Sequence, residues 1–324
     1  MFYSAETLDD LLNDVLKELI ELPFDVTASR GTSSEVFGVL LKLTNPRARI
    51  SRTETKGKPF SALGELLWYL SKNNNLDFIE YYIPKYKDDS DDGKTIHGGY
   101  GPRIFNMHEK FDQLNCVIEL LKNRPNTRRA IIQIIDAKDT EKKYKEIPCT
   151  CTIQFAIRNN KLNMYTSMRS NDAFIGLPHD IFAFTMLQEI IARTLNVELG
   201  TYNHSVASLH LYEKNKKQAM EYLSEGFQST KITMPEMPTG DPWKSIETLM
   251  KAEVDIRTSE NVNVPDLKIE PYWANLVYLL QIHSSFKRNE IGEIAELQKK
   301  ISSPMYDTYI ENRLKRNIET EKVK

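Results

Sequence analysis

Cysteine is scarce in this 324-residue chain: there are three, Cys116, Cys149 and Cys151. An odd trio in so long a chain excludes a disulfide framework and suits a reducing compartment, where an accessible cysteine stays a thiol. Long apolar runs are also missing, and nothing approaches the ~18–20 residues that a membrane span needs. The N-terminal stretch MFYSAETLDDLLNDVLKELIEL lacks the basic start and unbroken apolar core of a signal peptide, so the expectation is a cytoplasmic protein. Charge of one sign is absent as well. With 43 basic against 45 acidic residues the net charge is −2, which gives no field to recruit a nucleic-acid polymer. Any nucleotide it binds is therefore expected to be a small molecule. No internal repeat and no low-complexity tract is found.

What is present is globular: 40% hydrophobic and 27% charged residues, enough for a real core in one large domain or two ordinary ones. Residues 6–22 carry leucines at helical spacing, with Thr7 or Asp9 as cap and Pro23 as stop. A polar turn at 29–34 contains Arg30 and leads into the strand-like VFGVLLKLT; it reads as a plain loop or as a phosphate grip of hydroxyls, N–H groups and one guanidinium. Residues 45–58 are a basic loop. The helix PFSALGELLWYLSKN then holds a single acid, Glu65, among apolar neighbours. Such a carboxylate is a surface glutamate or, if buried, needs a partner or a function. Residues 85–99 read as a mobile acidic loop, Tyr100 to Arg103 as a tight turn, and 108–122 as a helix. Arg128 and Arg129 stand before the β-like AIIQII, either as a solvated turn or as two forks of an anion site.

Between Pro148 and Asp180 lie two strands, TIQFAIRNN and KLNMYTSMRS, joined by an Asn-Asn-Lys turn. Asp180 opens the apolar helix IFAFTMLQEIIARTLN at the N-cap position. Cys149 and Cys151, two apart on a strand, are expected on one face. A zinc site would need further ligands that no cysteine or histidine pair supplies, so no metal is expected. A short strand with His204, His210 and Tyr212 precedes a helix at 212–225. From 227 a proline-rich connector leads to helical patterns at 243–253, 272–288 and 290–302 and a charged segment to Lys324. The chain divides accordingly into a catalytic domain, 1–226, and a C-terminal helical extension, 227–324.

The segments ELLWYL, RPNTRRAII, PCT, MRSNDAFIGLPHD and ASLHLY occur in the order seen in thymidylate synthases. Over residues 30–215 the chain resembles that superfamily, and at these motifs it is closer to the deoxycytidylate hydroxymethylase branch. The resemblance implies an α/β (α+β) fold with a curved mixed β-sheet forming the interface of a homodimer. It also implies one-carbon transfer from 5,10-methylenetetrahydrofolate to C5 of a pyrimidine nucleoside monophosphate. Cys149 matches the nucleophile and Glu65 the glutamate that organises water and protons. Tyr100 matches a tyrosine beside the base. Arg30, Arg169 and Ser170 match phosphate ligands, and Arg128 with Arg129 match the arginines lent by the partner subunit. Asp172 matches an aspartate near base and folate, and His210 with Tyr212 the pair at the sugar hydroxyl.

The chemistry explains the residue types. C5 of a pyrimidine is a poor nucleophile until a thiolate adds at C6, and neighbouring arginines such as Arg169 are expected to lower the pKa of that thiol. Three departures from the synthase pattern bear on the product. Asp180 stands where synthases usually carry asparagine, whose amide accepts from uracil N3–H and donates to O4; a carboxylate instead suits the cytosine amino group. Thr150 replaces the histidine after the nucleophile. The charged segment NRLKRNIETEKVK replaces a short apolar tail that shuts out water, and water is what hydroxymethylation needs. The expectation is a dCMP or CMP 5-hydroxymethylase. A divergent thymidylate synthase and a non-enzymatic nucleotide-binding scaffold are the competing readings.

Overall fold

The structure is a computed structural model that describes residues 1–28 and 30–322, with side chains as far as Lys315. Ser29, within the polar turn at 29–34, and most of the charged C-terminal segment's side chains lie outside the described residues.

The chain opens with β1 (Phe2–Ala5) and α1 (Leu8–Glu21). Thr7 is the cap of α1, its hydroxyl accepting from Asp10 N–H at 3.1 Å. Asp9 is buried instead, taking the Ser51 hydroxyl, the Arg52 N–H and the Tyr222 hydroxyl. A hairpin follows, β2 (Val26–Ala28) against β3 (Gly31–Leu43). Strand β3 thus begins earlier than its apolar run, and Ser33 and Ser34 belong to it rather than to a turn. Next come α2 (Pro59–Leu70), α3 (Leu76–Tyr82), α4 (Tyr100–Phe105) and α5 (Gln113–Asn123). Helix α5 starts later than its expected 108, because His108 and Glu109 take left-handed φ of 56° and 58° and Asp112 is the cap. The segment expected to be a mobile loop contains a 3₁₀ turn, Pro84–Asp89.

The remaining strands are β4 (Ile131–Gln133), β5 (Thr150–Arg158) and β6 (Lys161–Asp172), followed by α6 (Gly176–Thr194) and β7 (Glu198–Tyr212). All seven strands form one mixed sheet in the order β1-β3-β7-β6-β5-β4, with β2 on the far part of β3. The pairs β1–β3 and β6–β7 are parallel and the rest antiparallel. Alternate residues of β6, such as Leu162, Met164, Thr166 and Met168, are buried against α6, the period-two signature of a sheet with one covered face.

Helix α6 corrects one expectation. It begins at Gly176, so Asp180 is not its N-cap but lies in its second turn. Pro178 is tolerated in the first turn, where N–H groups have no helical partner. Asp172 ties the turn that leads into the helix, its Oδ1 accepting from Phe174 and Ile175 N–H at 2.8 and 2.9 Å.

Helices α7 (Lys216–Ser224), α8 (Trp243–Arg257), α9 (Pro271–Arg288), α10 (Ile291–Lys300) and α11 (Asp307–Lys322) complete the chain. The connector is fastened to α6: Arg193 Nε donates to Met237 O at 2.9 Å, and Trp243 Nε1 to Thr194 Oγ1 at 3.0 Å. His283 of α9 stacks on Phe60 of α2 and Tyr82 of α3, with ring centres 6.2 and 5.2 Å away. The C-terminal helices therefore share one apolar core with the helices that cover the sheet.

Candidate active site

A cavity of about 720 Å³ opens where α2 and the 3₁₀ turn meet the ends of β3, β5, β6 and β7. Cys149 and Asp180, the two ends of the stretch that the sequence marks out, both line it. So do Glu65, Tyr100, Arg30, Arg169, Ser170, Asp172, His210 and Tyr212. Ten of the twelve expected side chains thus share one space. Arg128 and Arg129 do not; they are exposed just before the edge strand β4, and neither lines the cavity of its own chain.

Cys149 sits one residue before β5, held by Arg169 N–H donating to its carbonyl at 2.8 Å. A bulge at Cys151, between the pairs Thr150–Met168 and Thr152–Ser167, breaks the strand's alternation there. Cys151 is consequently not among the residues lining the cavity, contrary to the expectation that both thiols share a face. The Cys149 thiol is pushed up to about 11, chiefly by burial, with Glu146 and Asp180 adding to the rise. Arg169 and Arg30 pull in the expected direction but are outweighed. Part of the Arg169 guanidinium is engaged elsewhere: its Nε and one terminal nitrogen each donate at 3.0 Å, to the carbonyls of Pro148 and Ile147. Arg169 therefore braces the turn that leads to Cys149. Arg30 stands at the tip of the β2–β3 hairpin, ion-paired with Asp89 at 2.7 Å.

The α2 side of the cavity is built from acids and phenols. Glu65 is buried on α2, and its Oε1 accepts from Tyr69 at 3.1 Å and from Tyr86 at 2.7 Å. Tyr69 stacks on Tyr100, ring centres 4.9 Å apart, and the Tyr100 hydroxyl donates to Thr150 Oγ1 at 2.9 Å. Tyr100 is thus tied to Thr150, the residue after Cys149. Asp180 Oδ2 accepts from Asn171 Nδ2 at 2.8 Å. Burial first, then the nearby Glu65 and Asp172, hold the Asp180 carboxyl well above the usual carboxylate range, while the Asn171 donor works the other way. Near the opening, His210 meets Tyr212 edge-on at 4.9 Å.

Four participants escape a reading of the sequence. Tyr69, one turn beyond Glu65, has a helical-spacing signal that could have found it. Tyr86 lies in a segment read as a mobile loop. Asn171 sits in the Arg-Ser-Asn-Asp cluster but has no assigned role there. Glu146 lines the cavity with its Oε2 buried and without a partner among the described residues, and burial pushes its carboxyl up to about 7.

A half-buried thiol, two arginines, a phenol-bound glutamate and a carboxyl held by an amide thus line one cavity. The thymidylate synthase family model matches residues 10–272. The chain is 32% identical over 207 residues to a deoxyuridylate hydroxymethyltransferase of Delftia phage PhiW-14, covering 60% of this chain and 57% of that protein. It is 34% identical over 164 residues to one of Pseudomonas phage M6, covering 50% and 46%, and 32% identical over 219 residues to one of Bacillus phage SP01, covering 63% and 55%. The chain thus spans about half the length of the curated relatives it matches. Among solved structures, thymidylate synthase from T4 phage superposes with a TM-score of 0.58 at 24% identity, over 67% of this chain and 81% of that one. That likeness establishes the fold. The chain belongs to the thymidylate synthase family.

Proposed function

We propose that this protein transfers a one-carbon unit from 5,10-methylenetetrahydrofolate to C5 of a pyrimidine deoxynucleotide monophosphate and releases the 5-hydroxymethyl product, with dUMP as substrate. The observation that carries the reading is that Cys149 and Asp180 face one cavity, so one bound base can meet both. The names of the phage relatives support hydroxymethylation of deoxyuridylate.

In this reading Arg30, Arg169 and Ser170 take the phosphate, and His210 and Tyr212 the sugar hydroxyl. Forked donors suit phosphate oxygens, and that binding energy aligns C6 over the sulfur. Cys149 attacks as the thiolate and leaves C5 nucleophilic. Burial raises its pKa in the free protein, so in this reading the proton leaves as the substrate binds. Glu65, steadied by Tyr69 and Tyr86, holds the water and protons that move at the C4 side of the ring and at the new carbon.

The cavity fits the folate as well. Trp68 and Tyr86 form an aromatic wall, ring centres 5.4 Å apart, and Trp68 Nε1 is buried with no partner among the described residues. These residues would hold the pterin, and Lys142 and Lys143 on the cavity's lining would meet its glutamyl carboxylates. Bound there, the folate supplies the carbon at the oxidation level of formaldehyde.

The sheet's second face carries Phe37, 78% exposed, with Ile131 and Tyr165 also exposed. It is proposed as the surface of a homodimer, in which Arg128 and Arg129 complete the partner's phosphate site. The three free cysteines support a reducing, cytoplasmic setting. A second reading, action on dCMP or CMP, is favoured by the carboxylate at Asp180 if it is ionised when the base binds. Mass spectrometry of the products from dUMP, dCMP and CMP tests both: the proposal requires addition of CH₂O to dUMP, and addition to a cytidylate alone would replace it with the second reading.

A further inference from the structure

Behind Asp180 runs a buried chain of polar groups, none of which carries a role in the chemistry above. Asn171 Nδ2 lies 2.8 Å from Asp180 Oδ2, His204 Nε2 lies 2.9 Å from Asn171 Oδ1, and the Tyr202 hydroxyl lies 2.7 Å from His204 Nδ1. Chemistry settles the direction of each link. An amide oxygen only accepts, so His204 carries its proton on Nε2. His204 is wholly out of solvent, and burial pushes its imidazole down to about 3, so the ring is neutral and its bare Nδ1 accepts from Tyr202. Every hydrogen bond therefore donates toward the cavity, and the chain ends on Oδ2 of Asp180. Gly176 leaves the room for that last link: a Cβ there would stand 2.9 Å from Asn171 Nδ2 and 3.5 Å from Asp180 Oδ2.

This arrangement gives the two oxygens of Asp180 different duties. Oδ2, opposed by a donor, is an acceptor. Oδ1 has no hydrogen bond among the described residues, so a proton on Asp180 resides there. The ionisable groups around it are Glu65 and Tyr69 of α2, Tyr100 of α4, Cys149 before β5, Asp172 of β6 and Tyr202 of β7. All are acids, and none offers a positive charge to favour the carboxylate. A neutral carboxyl fixed in this orientation presents one donor and one acceptor, the same pair as an asparagine amide. Its Oδ1–H matches uracil O4, and the second lone pair of Oδ2 matches N3–H. An ionised carboxylate offers only acceptors, which suit the cytosine amino group and oppose O4.

We propose that Asn171 and His204 are specificity-determining positioning residues: they fix Asp180 so that it reads uracil as asparagine would. The inference rests on the proposed hydroxymethylation of dUMP and deepens it. It also accounts for an aspartate in a site whose relatives are named for deoxyuridylate.

The test measures kcat/KM for dUMP and for dCMP, with methylenetetrahydrofolate, between about pH 6 and 9. Wild type, Asn171→Ala, His204→Phe and His204→Gln are compared, each checked by thermal unfolding. Wild type should prefer dUMP, and the dUMP-to-dCMP ratio should fall as pH rises and Asp180 ionises. Asn171→Ala and His204→Phe should lower that ratio about 10-fold or more, because the orientation of Asp180 is lost. His204→Gln, which keeps an N–H for Asn171 Oδ1, should restore most of it. Equal losses on both nucleotides, or a ratio that rises with pH, would overturn the proposal. Preference of wild type for dCMP would also overturn it while leaving the hydroxymethylation chemistry standing. Turnover of neither nucleotide would instead contradict the function proposed above. If the alanine and phenylalanine variants do not fold, His204→Gln and the wild-type pH profile decide the outcome.

Discussion

The hydroxyl of Tyr86 lies 2.7 Å from Oε1 of Glu65, although the two residues belong to a 3₁₀ turn and a helix 21 positions apart. Tyr69 donates to the same oxygen, so the glutamate is clamped from its own helix and from across the cavity. Tyr86→Phe removes one donor and leaves the other. The expected result is a stability loss of about 1–2 kcal/mol and a fall in kcat of about 10-fold, with KM for the nucleotide little changed. Denaturant unfolding and steady-state kinetics check the two parts separately; a kcat equal to wild type would remove Glu65 positioning from the account.

Glu146 is expected to restrain the nucleophile. Its carboxylate raises the Cys149 pKa, and its own carboxyl is pushed up to about 7 by burial. As pH rises through 7 in the free enzyme, Glu146 ionises and thiolate formation becomes harder. Glu146→Gln removes that charge, so alkylation of Cys149 by iodoacetamide at about pH 8 should accelerate several-fold. An unchanged or slower rate would show that burial alone sets the thiol. The same shift has a consequence for stability. A carboxyl whose folded pKa is raised binds more protons folded than unfolded, so its favourable effect is complete below the ordinary value of 4.5 and is lost as pH rises through 7.

Far from the cavity, Glu189 of α6 is fully buried between Arg47 and the equally buried Arg49, and it also accepts Met237 N–H at 3.1 Å. These contacts hold the carboxyl below its usual range against a large cost of burial. Glu189→Gln leaves the Arg49 guanidinium uncompensated. A loss of about 3–5 kcal/mol in unfolding free energy is expected, and a change under about 0.5 kcal/mol would mean that the network is not a structural support.

Arg128 and Arg129 give the proposed homodimer a kinetic signature. The double variant Arg128→Ala/Arg129→Ala and the variant Cys149→Ser should each be nearly inactive. Refolded together in equal amounts they should regain about one quarter of wild-type activity, because half of the pairs are mixed and each mixed pair holds one intact site. No recovery would mean that the two arginines serve the site of their own chain and not the partner's.

The sequence resolved the site's ends better than its interior. Cys149 and Asp180 were legible because the Pro-Cys-Thr and Gly-Leu-Pro-His-Asp strings carry the resemblance to thymidylate synthases. The strands around them followed from period-two burial. What stayed hidden depends on tertiary reach. Tyr86 meets Glu65 only because the chain folds a polar segment over α2. Asn171 meets Asp180 and His204 only because β6 and β7 pair in parallel register, Asn171 opposite Leu209. The N-cap expectation for Asp180 failed because the helix begins four residues earlier, at Gly176, and takes Leu177 and Pro178 into its first turn. The same-face expectation for the two cysteines failed at a bulge, which no alternation pattern reveals.

The mass of the product formed from dUMP, methylenetetrahydrofolate and this protein decides whether water or hydride completes the reaction. A nucleotide heavier by CH₂O is expected, with no dihydrofolate released and no product from Cys149→Ser. A gain of CH₂ accompanied by dihydrofolate would make the protein a thymidylate synthase and contradict the proposed hydroxymethylation.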